Sequence, residues 1–75
     1  MDWQAIVGGN VRRLRLQRGF TQEQLAFEAQ IDLTYVGGIE RGKRNPSLSV
    51  MARIAVALGT SPVALLQLPR SHDPK

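Results

Sequence analysis

The sequence predicts an all-α domain, and three features of the chain point to this fold class. Residues that favour helix starts recur along the 75 residues, each followed by apolar residues at spacings of three and four. Glycine closes most of these stretches, as it does at helix ends. No stretch alternates apolar and polar residues as a half-buried strand would. We therefore expect one five-helix domain over residues 1–69 and a flexible tail over residues 70–75.

The first helix is predicted over residues 3–18, with Asp2 as its N-cap and Gly19 as its stop. Gly8 and Gly9 lie inside it, and each is expected to cost about 1 kcal/mol relative to alanine. Its apolar face contains Val7, Val11 and Leu14.

The second helix has the clearest start. Thr21 as N-cap and Gln24 three residues later make a capping box, and Phe20 with Leu25 makes a hydrophobic staple. Leu25, Ala26 and Ala29 form its inner face.

The third helix follows Asp32, its predicted N-cap, and ends at Gly42. Ile31 and Val36 can form a second staple. Val36 and Ile39 point inward, whereas the opposite face is expected to carry Leu33, Thr34, Gly37 and Gly38.

Two further helices complete the prediction. Ser47 caps a fourth helix over residues 48–58, which Gly59 closes. Ser61 caps a short fifth helix with Pro62 at its first position, where a missing N–H costs nothing. The inward residues of the fourth helix are Met51, Ile54, Ala55 and Leu58, and the fifth carries Val63, Leu65, Leu66 and Leu68.

Composition narrows the function classes. The formal charge of +4 and the pI near 10.8 favour a polyanionic partner, and aromatic residues at 5% disfavour a stacking platform for single strands. With no cysteine and one histidine, His72, neither a disulfide nor a metal site is expected. No cofactor motif, catalytic set, signal peptide or membrane-length apolar run is present, so we expect a cytoplasmic protein that is not an enzyme.

Several short sequence motifs occur along the chain with a characteristic spacing between them. They are Asn10-Val-Arg-Arg-Leu-Arg15, Gly19-Phe-Thr-Gln-Glu-Gln-Leu-Ala26, Tyr35-Val, Ile39-Glu-Arg-Gly-Lys-Arg-Asn-Pro-Ser47 and Ile54-Ala-Val-Ala-Leu-Gly59. In these the chain resembles the phage-repressor and Cro-like helix-turn-helix (XRE) family. It is most similar to short stand-alone members such as phage repressors and restriction–modification controller proteins.

The resemblance implies a compact lambda-repressor-like fold in which the third helix is the recognition helix. It also implies a transcriptional regulator that binds double-stranded DNA as a homodimer. The pseudo-palindromic operator would have half-sites about 34–36 Å apart. The resemblance leaves open whether the protein contacts RNA polymerase.

The resemblance and the local chemistry together suggest the DNA contacts. We expect phosphate contacts from Gln22 at the positive end of the second helix and from a basic loop. Tyr35 either reaches a phosphate or packs against the second helix. The loop residues are Arg41, Lys43 and Arg44.

The base-facing positions of the family fall on Leu33, Thr34, Gly37 and Gly38. They lack the long polar side chains that give bidentate readout, so we expect weak direct readout and a contribution from DNA shape. The two glycines are expected to let the helix backbone approach the groove closely.

Other positions are expected to be structural. In similar proteins, residues matching Arg15 and Glu40 form an ion pair that joins the first helix to the third. Gln30 stands where the family usually has glycine, at a position that favours a left-handed backbone. The expected dimer surface on the fifth helix consists of Pro62, Val63, Ala64, Leu66 and Gln67.

A second reading is a protein-interaction module of the same fold, of the antitoxin or adaptor type. The weak base-reading face favours this alternative. The basic loop argues against this alternative, because a protein-interaction module has no use for phosphate contacts.

Overall fold

The computed structural model describes residues 1–69, and these residues form five α-helices without any strand. The all-α five-helix prediction is confirmed, and the tail predicted for residues 70–75 lies outside the described residues. The helices are α1 (Trp3–Gln17), α2 (Gln22–Ala29), α3 (Leu33–Glu40), α4 (Leu48–Ala57) and α5 (Pro62–Leu65).

Four of the five predicted N-caps form hydrogen bonds to the first turn of their helices. The backbone N–H of Gln24 donates to the Thr21 hydroxyl at 3.0 Å, and the Thr21 N–H donates to the Gln24 side chain at 2.7 Å, which completes the predicted capping box. Asp2, Asp32 and Ser47 also accept from first-turn N–H groups. Ser61 is the N-cap residue of α5, as predicted, but its side chain makes no capping hydrogen bond.

Helix α5 is shorter than predicted. It ends at Leu65, so Leu66 is its C-cap and Leu68 lies beyond it. The buried amide of Asn10 on α1 donates to the carbonyl oxygen of Leu65 at 2.8 Å and to that of Gln67 at 2.9 Å. The carbonyl groups of Leu65, at the end of α5, and of Gln67, just beyond it, therefore accept from a side chain of α1 instead of from a further helical turn.

All five helices contribute to one core. The predicted inward residues are buried except Leu14, which is half-buried at the edge, and the prediction missed Val50. The buried apolar residues are Val7, Val11, Leu25, Ala26, Ala29, Val36, Ile39, Val50, Met51, Ile54, Ala55, Leu58 and Leu65.

Helix α1 touches the end of α3 through Gly8. A Cβ on this glycine would overlap the carbonyl oxygen of Ile39 and lie 3.0 Å from the carbonyl oxygen of Glu40. Backbone atoms cannot move aside as a flexible side chain can. Gly8 therefore permits the close crossing that holds α3 against α1.

The turn between α2 and α3 passes through Gln30, whose φ of 58° and ψ of 48° are left-handed. The expected left-handed backbone is thus retained without glycine, at a cost of roughly 1 kcal/mol. Within residues 1–69, Gln30 is the only non-glycine residue with a positive φ.

Candidate DNA-binding surface

A buried ion pair fixes α3 relative to α1. Nε of Arg15 lies 2.6 Å from Oε2 of Glu40, and Nη2 donates to Oε1 at 3.0 Å. The remaining nitrogen of Arg15 donates to the carbonyl oxygen of Phe20 at 2.8 Å. The two side chains are only 9% and 2% exposed, so the pair joins three segments in a largely dry environment.

Gln22 is the first residue of α2, and its side chain joins the same network. Its Nε2 donates to Oε1 of Glu40 at 3.0 Å. An amide has two N–H groups, so one donor remains, together with the free backbone N–H groups of the first turn. The phosphate contact predicted for Gln22 stays a prediction, and the structure adds that this residue ties α2 to α3.

The outer face of α3 differs from its expected form. Leu33 is 42% exposed and Thr34 is exposed, but Gly37 and Gly38 are buried. The side chain of Arg41, the C-cap of α3, lies over Gly37, and that of Arg44 from the following loop lies over Gly38. The close approach of these glycines to a groove stays a prediction. Their assignment to a base-facing surface stays a prediction.

Tyr35 is half-buried and packs against the core. The guanidinium carbon of Arg44 lies 4.8 Å from the centroid of its ring, which is a cation–π arrangement. Tyr35 therefore packs within the protein alone, while its contact with the second helix stays a prediction. Contact of its hydroxyl with a phosphate stays a prediction.

The predicted basic loop begins where α3 ends. Arg41 is the C-cap of α3, and Gly42 follows with a φ of 73° that turns the chain away. The side chains of Arg41, Lys43 and Arg44 are all exposed. Three positive charges therefore border the exposed side of α3, where a polyanion meets them without desolvating a buried group.

The predicted dimer surface on α5 carries exposed apolar groups. Val63 is 68% exposed and Leu66 is 42% exposed, and Gln67 is exposed. Pro62 and Ala64 are half-buried, whereas Leu65 is fully buried as predicted.

Residues 1–69 offer little else of chemical interest. No group of three or more potential metal-ligating side chains comes together there. No helix among them is long and apolar enough to cross a bilayer.

The helix-turn-helix family model matches residues 11–65, which is most of the chain. This chain belongs to the helix-turn-helix family. The helix-turn-helix relatives include control protein C.BamHI from Bacillus amyloliquefaciens, which is 45% identical over 62 residues, covering 81% of this chain and 76% of that protein. The HTH-type transcriptional regulator y4dJ from Sinorhizobium fredii is 39% identical over 66 residues, covering 88% of this chain and 86% of that protein.

A solved helix-turn-helix structure is similar over most of this chain. The restriction–modification controller protein C.AhdI from Aeromonas hydrophila superimposes with a TM-score of 0.80 at 44% sequence identity, covering 83% of this chain and 94% of that one. The predicted resemblance to XRE-type regulators and controller proteins is confirmed. The protein is a transcriptional regulator with a helix-turn-helix DNA-binding domain, as its relatives are, and these relatives are not enzymes.

Three residues of this helix-turn-helix domain have roles that the sequence reasoning missed. They are Gly8 at the α1–α3 crossing, Asn10 beneath the end of α5, and Gln22 as a partner of Glu40. Asn10 had a usable signal, because an uncharged polar residue next to Val11 on an apolar helix face must find hydrogen-bond partners. The partners themselves lie 55 and 57 residues away in sequence, so no local pattern identifies them.

Proposed function

We propose that this protein regulates transcription by binding a pseudo-palindromic DNA operator as a homodimer, with α3 of each protomer in the major groove. The proposal rests above all on the α3 surface. Its C-terminal end is held by the Arg15–Glu40–Gln22 network, and its outer side, where Leu33 and Thr34 are exposed, is bordered by positive charges. A helix that is rigidly held and electrostatically attracted to phosphates fits recognition in a groove.

The phosphate contacts fall to the positive end of α2 and to the loop after α3. Gln22 retains a free N–H at the helix start, where a phosphate is favoured. Lys43 is an exposed point charge beside α3. Binding to chromosomal or plasmid DNA would place the protein in the cytoplasm. The likeness to C.BamHI and C.AhdI supports a small regulator of the controller-protein type.

The homodimer is proposed to form through α5. A domain of 75 residues buries a limited fraction of its surface. Burial of further apolar side chains against a second copy would therefore stabilise it. Val63 and Leu66 expose apolar surface on one short helix. A two-fold axis there pairs the same patch of both copies, as a symmetric dimer requires.

Selection from a random double-stranded DNA library at near-physiological salt tests the operator proposal. We expect enrichment of a dyad-symmetric motif with two half-sites about one helical turn apart. Binding without enrichment would mean that the protein contacts phosphates but reads no sequence. If no DNA is retained, the operator proposal fails and a protein-interaction role gains support.

Sedimentation of two matched variants tests the dimer surface. Val63→Glu should move the protein to the monomer, because a charge would be buried between the copies. Val56→Glu on α4 is the control, since Val56 is 78% exposed and lies outside the predicted interface. Equal dissociation of both variants, or of neither, would contradict an interface centred on α5.

A further inference from the structure

The proposed dimer surface lies on a segment that has little helical structure of its own. Helix α5 spans only four residues, Pro62–Leu65, and the side chain of Ser61 makes no capping hydrogen bond. The N–H groups of Ala64 and Leu66 donate to carbonyl oxygens three residues earlier. A single turn is unstable in isolation, because fixing its backbone costs more than its few hydrogen bonds return. The shape of this surface therefore depends on contacts with the rest of the domain.

Two anchors hold this segment on the domain. Leu65 is fully buried in the core. Nδ2 of Asn10 on α1 donates to the carbonyl oxygen of Leu65 at 2.8 Å and to that of Gln67 at 2.9 Å. Leu66 lies between these two carbonyl groups in sequence, and its side chain is 42% exposed. Asn10 thus fixes the backbone on both sides of an apolar group of the proposed dimer surface.

Arg13 sets the orientation of the Asn10 amide. Nη2 of Arg13, one turn further along α1, donates to Oδ1 of Asn10 at 3.2 Å. Because the oxygen of the amide faces Arg13, its two N–H groups are directed to the carbonyl groups at the end of α5. Asn10 is only 8% exposed, so a second copy has little access to it.

We propose that Asn10 is a positioning residue of the dimer, which orders the segment after α5 for contact with the second copy without itself belonging to the interface. This inference rests on the proposed homodimer through α5. Association is weaker when a surface has to become ordered as it binds. Because Asn10 already orders this segment in the monomer, that cost does not fall on the dimer.

The same role extends to operator binding. A dimer that binds DNA draws on the population of folded dimers, so a higher dissociation constant of the dimer weakens operator binding at low protein concentration. The residues that face DNA are unchanged by substitution of Asn10. The selected DNA motif should therefore stay the same while the protein concentration needed to bind it rises.

A purely structural role of Asn10 predicts a different result. The hydrogen bonds of a buried amide stabilise each monomer, and their loss would then lower only the free energy of unfolding. The dissociation constant of the dimer compares folded monomers with folded dimers. It is therefore insensitive to a loss of monomer stability that leaves the interface as it was.

The test is sedimentation equilibrium over a range of protein concentrations, at a temperature where circular dichroism shows that each variant is folded. Asn10→Ala removes both donors, and we expect the dissociation constant of the dimer to rise by roughly 10- to 100-fold. Gly8→Ala is the matched control on the same helix. It disturbs the contact of α1 with α3, so it should lower stability and leave the dissociation constant unchanged.

Arg13→Met is a second variant, and it should fold because Arg13 is exposed. Methionine removes the donor to Oδ1 of Asn10, so we expect a smaller rise of the dissociation constant, by roughly 2- to 10-fold. Arg12→Met is its control, since Arg12 is also exposed and the same charge is lost. If Asn10→Ala does not fold, the comparison of Arg13→Met with Arg12→Met decides.

The outcomes that would overturn the inference are distinguishable. If the wild-type protein is a monomer at all concentrations, or if Val63→Glu remains a dimer, the proposed interface fails and the inference fails with it. If Val63→Glu dissociates but Asn10→Ala and Arg13→Met keep the wild-type dissociation constant, only this inference fails. An equal rise for Asn10→Ala and Gly8→Ala would assign Asn10 to stability alone.

Discussion

At the scale of single residues, two adjacent glycines of α1 differ in whether the structure has room for a side chain. Gly8 faces the backbone of α3 at the closest approach of the two helices, whereas nothing lies within 4 Å of a Cβ placed on Gly9. Helix propensity treats both residues alike, because it depends only on local conformation. Their difference comes entirely from what packs against the helix.

Alanine substitutions at these positions should therefore change stability in opposite directions. Gly8→Ala should lower the free energy of unfolding by about 1–3 kcal/mol, because the new methyl group has to push backbone atoms apart. Gly9→Ala should raise it by about 0.4–1 kcal/mol through the smaller entropy of the unfolded chain. Urea unfolding at one fixed protein concentration measures both, and a similar shift for the two variants would contradict the proposed crossing.

Because Arg15 and Glu40 form an ion pair, we expect mutations at the two positions to have non-additive effects on the free energy of unfolding. Glu40→Ala leaves the buried guanidinium without its carboxylate and should cost about 3–5 kcal/mol of unfolding free energy. A double variant, Arg15→Met with Glu40→Leu, removes both charges and should recover part of that loss. Denaturant unfolding of the two variants measures this recovery, and a double variant less stable than Glu40→Ala would argue against a dominant electrostatic role.

At the scale of helices, the turn between α2 and α3 sets the orientation of α3, the proposed recognition helix. Gln30 keeps the left-handed conformation that glycine adopts more readily, so the geometry of the unit does not depend on glycine itself. Hydrogen bonds from the N–H of Gln30 and of Ile31 to the end of α2 stabilise this conformation.

Gln30→Gly should consequently stabilise the protein by roughly 1 kcal/mol without altering the DNA motif. The gain arises because glycine removes the steric cost of a Cβ at positive φ. Thermal unfolding and library selection measure the two parts. Gln30→Ala is the control and should resemble the wild type, and a changed motif for Gln30→Gly would show that the turn also tunes the presentation of α3.

At the scale of the whole molecule, charge and fold act together. The formal charge of +4 draws the protein to DNA at long range, and the fold places part of that charge beside α3. Charge alone is independent of sequence, because phosphates are the same at every site. Lys43 is exposed in the loop after α3, so we expect it to contribute to this general attraction.

Lys43→Ala should weaken binding by a similar factor for all DNA sequences. The slope of the logarithm of affinity against the logarithm of salt concentration should fall by about one unit, since one phosphate contact is lost. Titrations at several salt concentrations, with the selected operator and with a scrambled duplex, measure this. An unchanged slope would remove Lys43 from the set of phosphate contacts.

The sequence by itself determined the presence of the five helices, four of their five capping hydrogen bonds, and the family. These depend on local features, such as the Thr21–Gln24 capping box and the spacing of apolar residues. The ion pair of Arg15 and Glu40 was also predicted, but only through the family resemblance.

Only the tertiary structure decided what lies over Gly37 and Gly38, why Gly8 is glycine, and which carbonyl groups Asn10 binds. Each of these depends on contacts between segments that are far apart in sequence, and local sequence patterns do not reveal such contacts. The packing of the core sets their distances. A one-dimensional periodicity can place a residue on a face of a helix, but it cannot say which neighbouring side chain covers it.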